Sequence, residues 1–319
     1  MKLHRFLITA ILVAGAVLAG GTAHAEVVYD AVTPATYTAP DELRAYEVAT
    51  INFSVASGQK IYVYGDLQAG DASKRTLVDA SVTCAVGASI GGKVVHNENI
   101  GSGAQTSVSL VARMLVTAPY AGTMYCRMYA WVATLSGSSS TVRVTGGELK
   151  IGRRSVPGGV QATSNNQVTT VGNPVYTPVI PGSATAGSVT GLWQSPAGAS
   201  SLTVFGDLSM TKCRTGDAYG CPSSSPTADS RVSTTLFVTQ FNANGSVCDT
   251  NTYIAAATIS DERRHDVNYT ALTVPVATSG TCAPKFSIYL KSQVTSGGAV
   301  ATHGAATAGA MGVLFVLPT

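Results

Sequence analysis

The sequence predicts an all-β protein: two tandem, related antiparallel β-sandwich domains behind a signal peptide. Three observations carry that expectation. Segments rich in β-branched and aromatic residues, bounded by Gly, Ser, Asn or Pro, recur along the chain, and no capped helical periodicity interrupts them. One segment occurs twice. Ile61-Tyr62-Val63-Tyr64-Gly65-Asp66-Leu67 aligns with Leu202-Thr203-Val204-Phe205-Gly206-Asp207-Leu208, and the match runs upstream without a gap to Ile51 against Leu192. The six cysteines divide between the copies, two in the first and four in the second.

The signal peptide is expected at residues 1–25. Lys2, His4 and Arg5 form a basic head, Phe6 to Ala19 are almost wholly apolar, and Ala23-His24-Ala25 supplies the small residues a signal peptidase needs. Export places the mature chain outside the cell, secreted or associated with the cell surface. The apolar run Met311 to Leu317 is far too short to cross a bilayer, so no integral membrane segment is expected after processing.

The first domain is expected at 26–152 and the second at 168–319. Between them, Gly152-Arg153-Arg154-Ser155-Val156-Pro157-Gly158-Gly159 and a Ser/Asn/Gln-rich stretch to Gln167 have linker composition, which places a linker at 153–167. Strands are expected at 61–67, 107–116, 124–133 and 141–144, then at 234–241, 269–276 and 286–290. Gly147-Glu148-Leu149-Lys150-Ile151 parallels Gly312-Val313-Leu314-Phe315-Val316, as a last strand closing each copy would. Gly65 and Gly206 interrupt their strands at the same register, which points to a bulge or a close backbone approach.

Six cysteines in an exported chain predict three disulfides. Cys84 and Cys126 are alone in the first domain and pair there, closing a long loop worth a few kcal/mol. Cys213, Cys221, Cys248 and Cys282 leave three connectivities open. Cys213 and Cys221 flank a turn-rich stretch that closes into a small loop, and Cys248 then meets Cys282. The bracketed loop is an insertion relative to the first domain. Loops on a rigid scaffold often carry binding, so Arg214, Asp217 and Tyr219 are candidate contact residues. In strand spacing and disulfides the chain resembles tandem immunoglobulin-like sandwiches. The likeness is architectural: Trp131 and Trp193 do not lie between paired cysteines, so the Cys-Trp-Cys signature is missing. Ig-like and jelly-roll-like topologies both remain open.

Charged residues make up only 12% of the chain and the formal net charge is +3, lowered further when Lys2 and Arg5 leave with the signal. Nucleic acid and anionic membrane are not expected partners, and near-neutral surfaces repel one another weakly. The densest charge cluster, Asp261-Glu262-Arg263-Arg264-His265-Asp266, is a candidate contact patch for a neighbouring copy. Its bland alternative is a solvated loop tip. No C-x-x-C pair occurs and only His96, His265 and His303 survive processing, so no metal or other cofactor is expected. Gly87-Ala88-Ser89-Ile90-Gly91 fits G-x-S-x-G, but its neighbours spell strand, turn, strand rather than the strand-to-helix elbow that motif requires. Asp66 and Asp207 occupy equivalent places and are expected in turns. The tyrosines that crowd the first domain alternate within strand patterns, which assigns them to core or edge packing.

These readings make the chain a non-catalytic structural or adhesive protein that acts through surface contacts, with itself, a cell-surface protein or a glycan. Self-assembly at the cell exterior is expected, with the last apolar strand placed to exchange between subunits. The alternative is a secreted carbohydrate- or ligand-binding module. A secreted hydrolase would need one of the three histidines to meet Ser and Asp in a cleft.

Overall fold

Side-chain alternation sets the strands. In Lys60–Gly70, Ile61, Val63, Gly65 and Leu67 point into the core, and Tyr62, Tyr64, Asp66 and Gln68 point the other way. A computed structural model describes residues 26–101, 106–181, 192–215, 217, 220–222, 228–277, 280, 282–306 and 309–319. The signal peptide expected at 1–25 lies outside the described residues. Among the described residues no helix is long and apolar enough to cross a membrane.

The first sandwich contains β1 (Tyr29–Ala31), β2 (Ala35–Ala39), β3 (Arg44–Val55), β4 (Lys60–Gly70), β5 (Thr76–Val86), β6 (Ser89–Ile100), β7 (Ser107–Thr117), β8 (Gly122–Thr134) and β9 (Ser140–Arg153). One sheet runs β1-β9-β4-β7, with β2 also on β9, and the other runs β6-β5-β8-β3. The second sandwich contains β10 (Val160–Thr163), β11 (Gln167–Thr169), β12 (Val175–Val179), β13 (Trp193–Gln194), β14 (Ser201–Lys212), β15 (Ser230–Asn242), β16 (Val247–Ile259), β17 (His265–Pro275), β18 (Cys282–Ser296), β19 (Val300–Thr302), β20 (Ala305–Ala306), β21 (Gly309–Ala310) and β22 (Gly312–Pro318). There β14 lies between β22 and β17, β10 flanks β22, and the facing sheet runs β12-β18-β15-β16.

Counted as eight strands in chain order, each unit pairs its first, eighth, third and sixth strands in one sheet. Its second, seventh, fourth and fifth form the other. That is the jelly-roll connection, and it occurs in both units. The choice left open by the sequence therefore falls to the jelly roll. The repeat holds at single-residue level: Gly65 pairs with Leu149, and Gly206 pairs with Leu314.

Gly65 and Gly206 mark close approaches between facing sheets. A Cβ on Gly65 would lie 2.7 Å from a Val82 methyl, and one on Gly206 would lie 2.8 Å from a Leu290 methyl. Overpacking of this kind costs about 1–3 kcal/mol. Gly206→Val should lower the urea midpoint accordingly without changing secondary structure; an unchanged midpoint would show that the sheets can separate there freely.

One expectation is corrected. Residues 160–163, placed in a linker, form β10 and pair with β22, Val160 against Val316 and Ala162 against Leu314. Only 154–159 separate the sheets of one unit from those of the next. Their polar neighbours gave the segment a loop-like composition, but its partner is apolar. β22 has β10 on one flank and β14 on the other, so an exchange between subunits would have to re-form both ladders on the partner.

The two jelly rolls share a core. The apolar cluster of the first unit includes Val267, Ala310, Val313, Phe315 and Leu317 of the second, with Tyr62, Phe205 and Tyr269 packed against it. These residues cover the outer face of β14, β17 and β22. Against that face the edge strand β7 presents Arg113 and Leu115, both buried. Arg113 meets Asp207 with Nε to Oδ2 at 2.8 Å and Nη2 to Oδ1 at 2.5 Å, and its guanidinium lies over the Phe205 ring. Burial pushes the Arg113 pKa down, but the charge and hydrogen bonds of Asp207 prevail, and the net shift is upward.

A candidate ligand groove and the fate of the predicted residues

The outer face of the β6-β5-β8-β3 sheet carries the most distinctive surface. Along β8, Met124, Cys126, Met128, Ala130 and Val132 turn into the core, so Tyr125, Arg127, Tyr129 and Trp131 turn out. Opposite them on β5 stand small residues: Ala85 faces Tyr125, Thr83 faces Arg127 and Ser81 faces Tyr129. Large side chains beside small ones leave a groove of about 380 Å³, closed on the far side by Lys93 of β6. Trp131 Nε1 donates to Ser81 Oγ at 3.0 Å, which fixes the indole plane. Tyr129 and Trp131 stand with ring centroids 6.5 Å apart. Arg127 is exposed and loosely paired with Glu47 at 3.8 Å. Its charged form is favoured first by a hydrogen bond with Tyr129 and then by Glu47. Among the described residues the lining holds two cations and no carboxylate.

Directly beneath the groove, Cys84 and Cys126 are opposite in register and bonded, with Cα atoms 4.0 Å apart. The bridge therefore ties two neighbouring strands of one sheet. Cys213–Cys221 and Cys248–Cys282 are also bonded.

The tyrosines are thus not all packing residues. Tyr125 and Tyr129 form a half-buried outward row. The second jelly roll has a smaller counterpart on the same sheet, where Phe237 and Tyr289 stack at 4.9 Å beside Tyr176.

The predicted contact patch is used within the chain. Asp261 accepts Lys212 Nζ at 2.8 Å, and its carbonyl accepts Arg75 of the first unit at 2.7 Å and also Arg214. Arg263 bridges Glu98 of the first unit and Asp266, at 3.3 and 3.0 Å. Arg264 pairs with Asp217, and the backbone of His265 donates to Asn99 at 2.9 Å. Of the six cluster residues only Glu262 is exposed. Tyr219 lies outside the described residues. Sequence shows the charges but not the neighbours that bury them. A cleft of about 390 Å³ remains between the units near Asn99, Glu262 and Arg263, but it lacks aromatic walls and its guanidinium is committed to Glu98 and Asp266.

Asp66 and Asp207 lie in strands, not turns. Asp66 accepts Ser109 at 3.2 Å while Asp207 holds Arg113. Ser89 opens β6 across a turn from β5, in the hairpin its context predicted. His96 is buried against the Val111 carbonyl. His265 and His303 flank the Thr211 hydroxyl at 2.7 and 2.6 Å. Burial, first, and nearby positive groups push these two imidazoles down to about 3 and about 4. None of the three lines the groove or the cleft. Among the described residues no group of three or more His, Cys, Asp or Glu is arranged to hold a metal.

No family model matches the chain, and no curated protein matches it. Solved structures resemble it in fold. The tandem CBM22-1-CBM22-2 domains of Paenibacillus barcinonensis Xyn10C cover 92% of this chain over 94% of their own length, with 8% identity and a TM-score of 0.24. The structure of broad bean stain virus covers 92% over 90%, with 9% identity and a TM-score of 0.30. The infectious bursal disease virus T13 particle covers 92% over 74%, with 11% identity and a TM-score of 0.27. The likeness to all three is one of β-sandwich architecture alone.

Proposed function

We propose that this chain is a non-catalytic extracellular binding protein that takes a carbohydrate in the groove over β5, β6 and β8. The observation that carries the reading is the outward row Tyr125, Tyr129 and Trp131, set on one strand against small residues on the next. Aromatic faces are apolar bodies with a polar tip, and the C–H faces of sugar rings stack on them. Ser81, Thr83, Lys93 and Arg127 supply the few polar groups that fix orientation in such a site. The groove volume is within the range of small-ligand sites, roughly 300–1,000 Å³. Three disulfides favour an oxidising compartment, in keeping with an exported chain.

The test is binding of the mature, oxidised protein to a panel of neutral and acidic oligosaccharides by calorimetry. Tyr129→Ala and Trp131→Ala should each weaken the best ligand roughly tenfold or more, as buried aromatic anchors do. Tyr289→Ala, on the other jelly roll, should not. Absence of binding across the panel by a folded protein, or equal loss in all three variants, defeats the proposal.

A further inference from the structure

We propose that a second copy of this chain pairs along β16, edge to edge and antiparallel, so that the two β12-β18-β15-β16 sheets become one continuous sheet across a two-fold axis. Among the described residues β16 pairs with β15 alone. Over its 13 residues no strand pairs with the other flank among the described residues, and the Thr250 N–H is taken by the Asp249 carboxylate at 2.8 Å. Natural edge strands are normally blunted by Lys, Pro or a bulge. Two other edges here follow that rule. β3 carries Arg44, Glu47 and a register shift between Glu47 and Ala49, and β12 contains Pro178. β16 has no Lys, Arg or Pro, Asp249 is its single charge, and its one register shift, opposite Gln240 and Phe241, lies at its start, outside the stretch 250–258. Val247, Tyr253 and Ile254 stand 58%, 45% and 63% exposed along it.

The fold contains its own precedent. The strand equivalent to β16 in the first jelly roll is β6, and there β21 reaches over from the second unit and pairs at one position, Ala310 beside Val94 in parallel. The edge of the second unit is the one left open. A second copy is the occupant that the strand itself fits. Pairing centred on Ile254 sets Ile254 against its own copy and Thr250 against Thr258. This parity keeps the outer faces of both sheets on one side. Asp249 is near one end, so the two carboxylates never meet. The low net charge of the chain offers little repulsion.

The experiment is native mass by light scattering and sedimentation across concentration, with the mature oxidised protein. A dimer is expected, and Ile254→Lys and Thr252→Pro should each make it monomeric while leaving the dilute-solution melting temperature within a few degrees and the groove's ligand affinity unchanged. The groove is on the other jelly roll, so its ligand binding is read independently of the dimer. A monomer at every concentration, or an oligomer that survives both substitutions, overturns the proposal.

Discussion

Arg113→Met is expected to cost the protein about 3–5 kcal/mol, because it strands the Asp207 carboxylate in the shared core. Asp207 is fully buried and the Arg113 side chain is 10% exposed, so solvent cannot take over either partner. Asp207→Leu should be as damaging, since it leaves the guanidinium against Phe205 and the Thr270 carbonyl without a counter-charge. The pair itself is a different quantity. Removing both partners as Arg113→Met with Asp207→Leu should recover most of the loss, because desolvating two ions offsets much of their attraction. Urea unfolding of the four proteins gives the cycle. A single-variant loss below about 1 kcal/mol would mean that water reaches the pair.

Asp79→Asn is expected to stabilise the protein, and more so as pH rises. Asp79 is buried, its Oδ1 has no hydrogen-bond partner, and burial pushes its pKa up to about 7. The folded carboxyl therefore keeps a proton that the unfolded chain has already released above about pH 4. A group raised in this way contributes stability at low pH and loses it as pH climbs through the folded value. At pH 8 the wild-type protein bears an ionised buried carboxylate, a burden on the order of 4 kcal/mol that an amide does not carry. The substitution brings a second gain. Asn97 stands directly opposite on β6 with its own Oδ1 buried and unpartnered, and the introduced amide supplies the missing donor. Denaturant midpoints of the two proteins at pH 5, 6.5 and 8 provide the check. The gain should grow from the first to the last, and a constant difference or a loss at pH 8 would contradict the argument. His265 and His303 act in the opposite sense. Held neutral when folded, they lose their stabilising contribution as pH falls from about 6.5 toward 4, in both proteins alike.

What the residues disclosed in advance follows from how local each signal is. Alternation within β4 and β14 is a property of consecutive residues, so those strands, their repeat and the glycine at the sheet contact could be found without coordinates. The linker was harder. Val160 and Ala162 are strand residues only because Val316 and Leu314 lie beside them. On β8 the period of two was visible, but both alternate sets are rich in large apolar groups. Nothing local says that Met128 turns inward and Tyr129 outward. The Asp261 to Asp266 cluster failed for the same reason at longer range, since Glu98, Asn99 and Arg75 approach it only when the two jelly rolls close.

The placement of β22 also bears on the order in which the molecule can mature. A chain made from its N-terminus presents the whole of the first jelly roll while Val313, Phe315 and Leu317, which complete that unit's apolar cluster, have yet to be synthesised. Until they arrive, Tyr62 and Leu115 lack their cover and Arg113 lacks the face that holds Asp207. The first jelly roll is thus finished by residues of the last strand of the second. Such distant contacts slow folding and leave sticky intermediates exposed in the interval. A chain of this design gains from help while it waits: a holding chaperone during synthesis, or delivery in an unfolded state to the place where it is to fold.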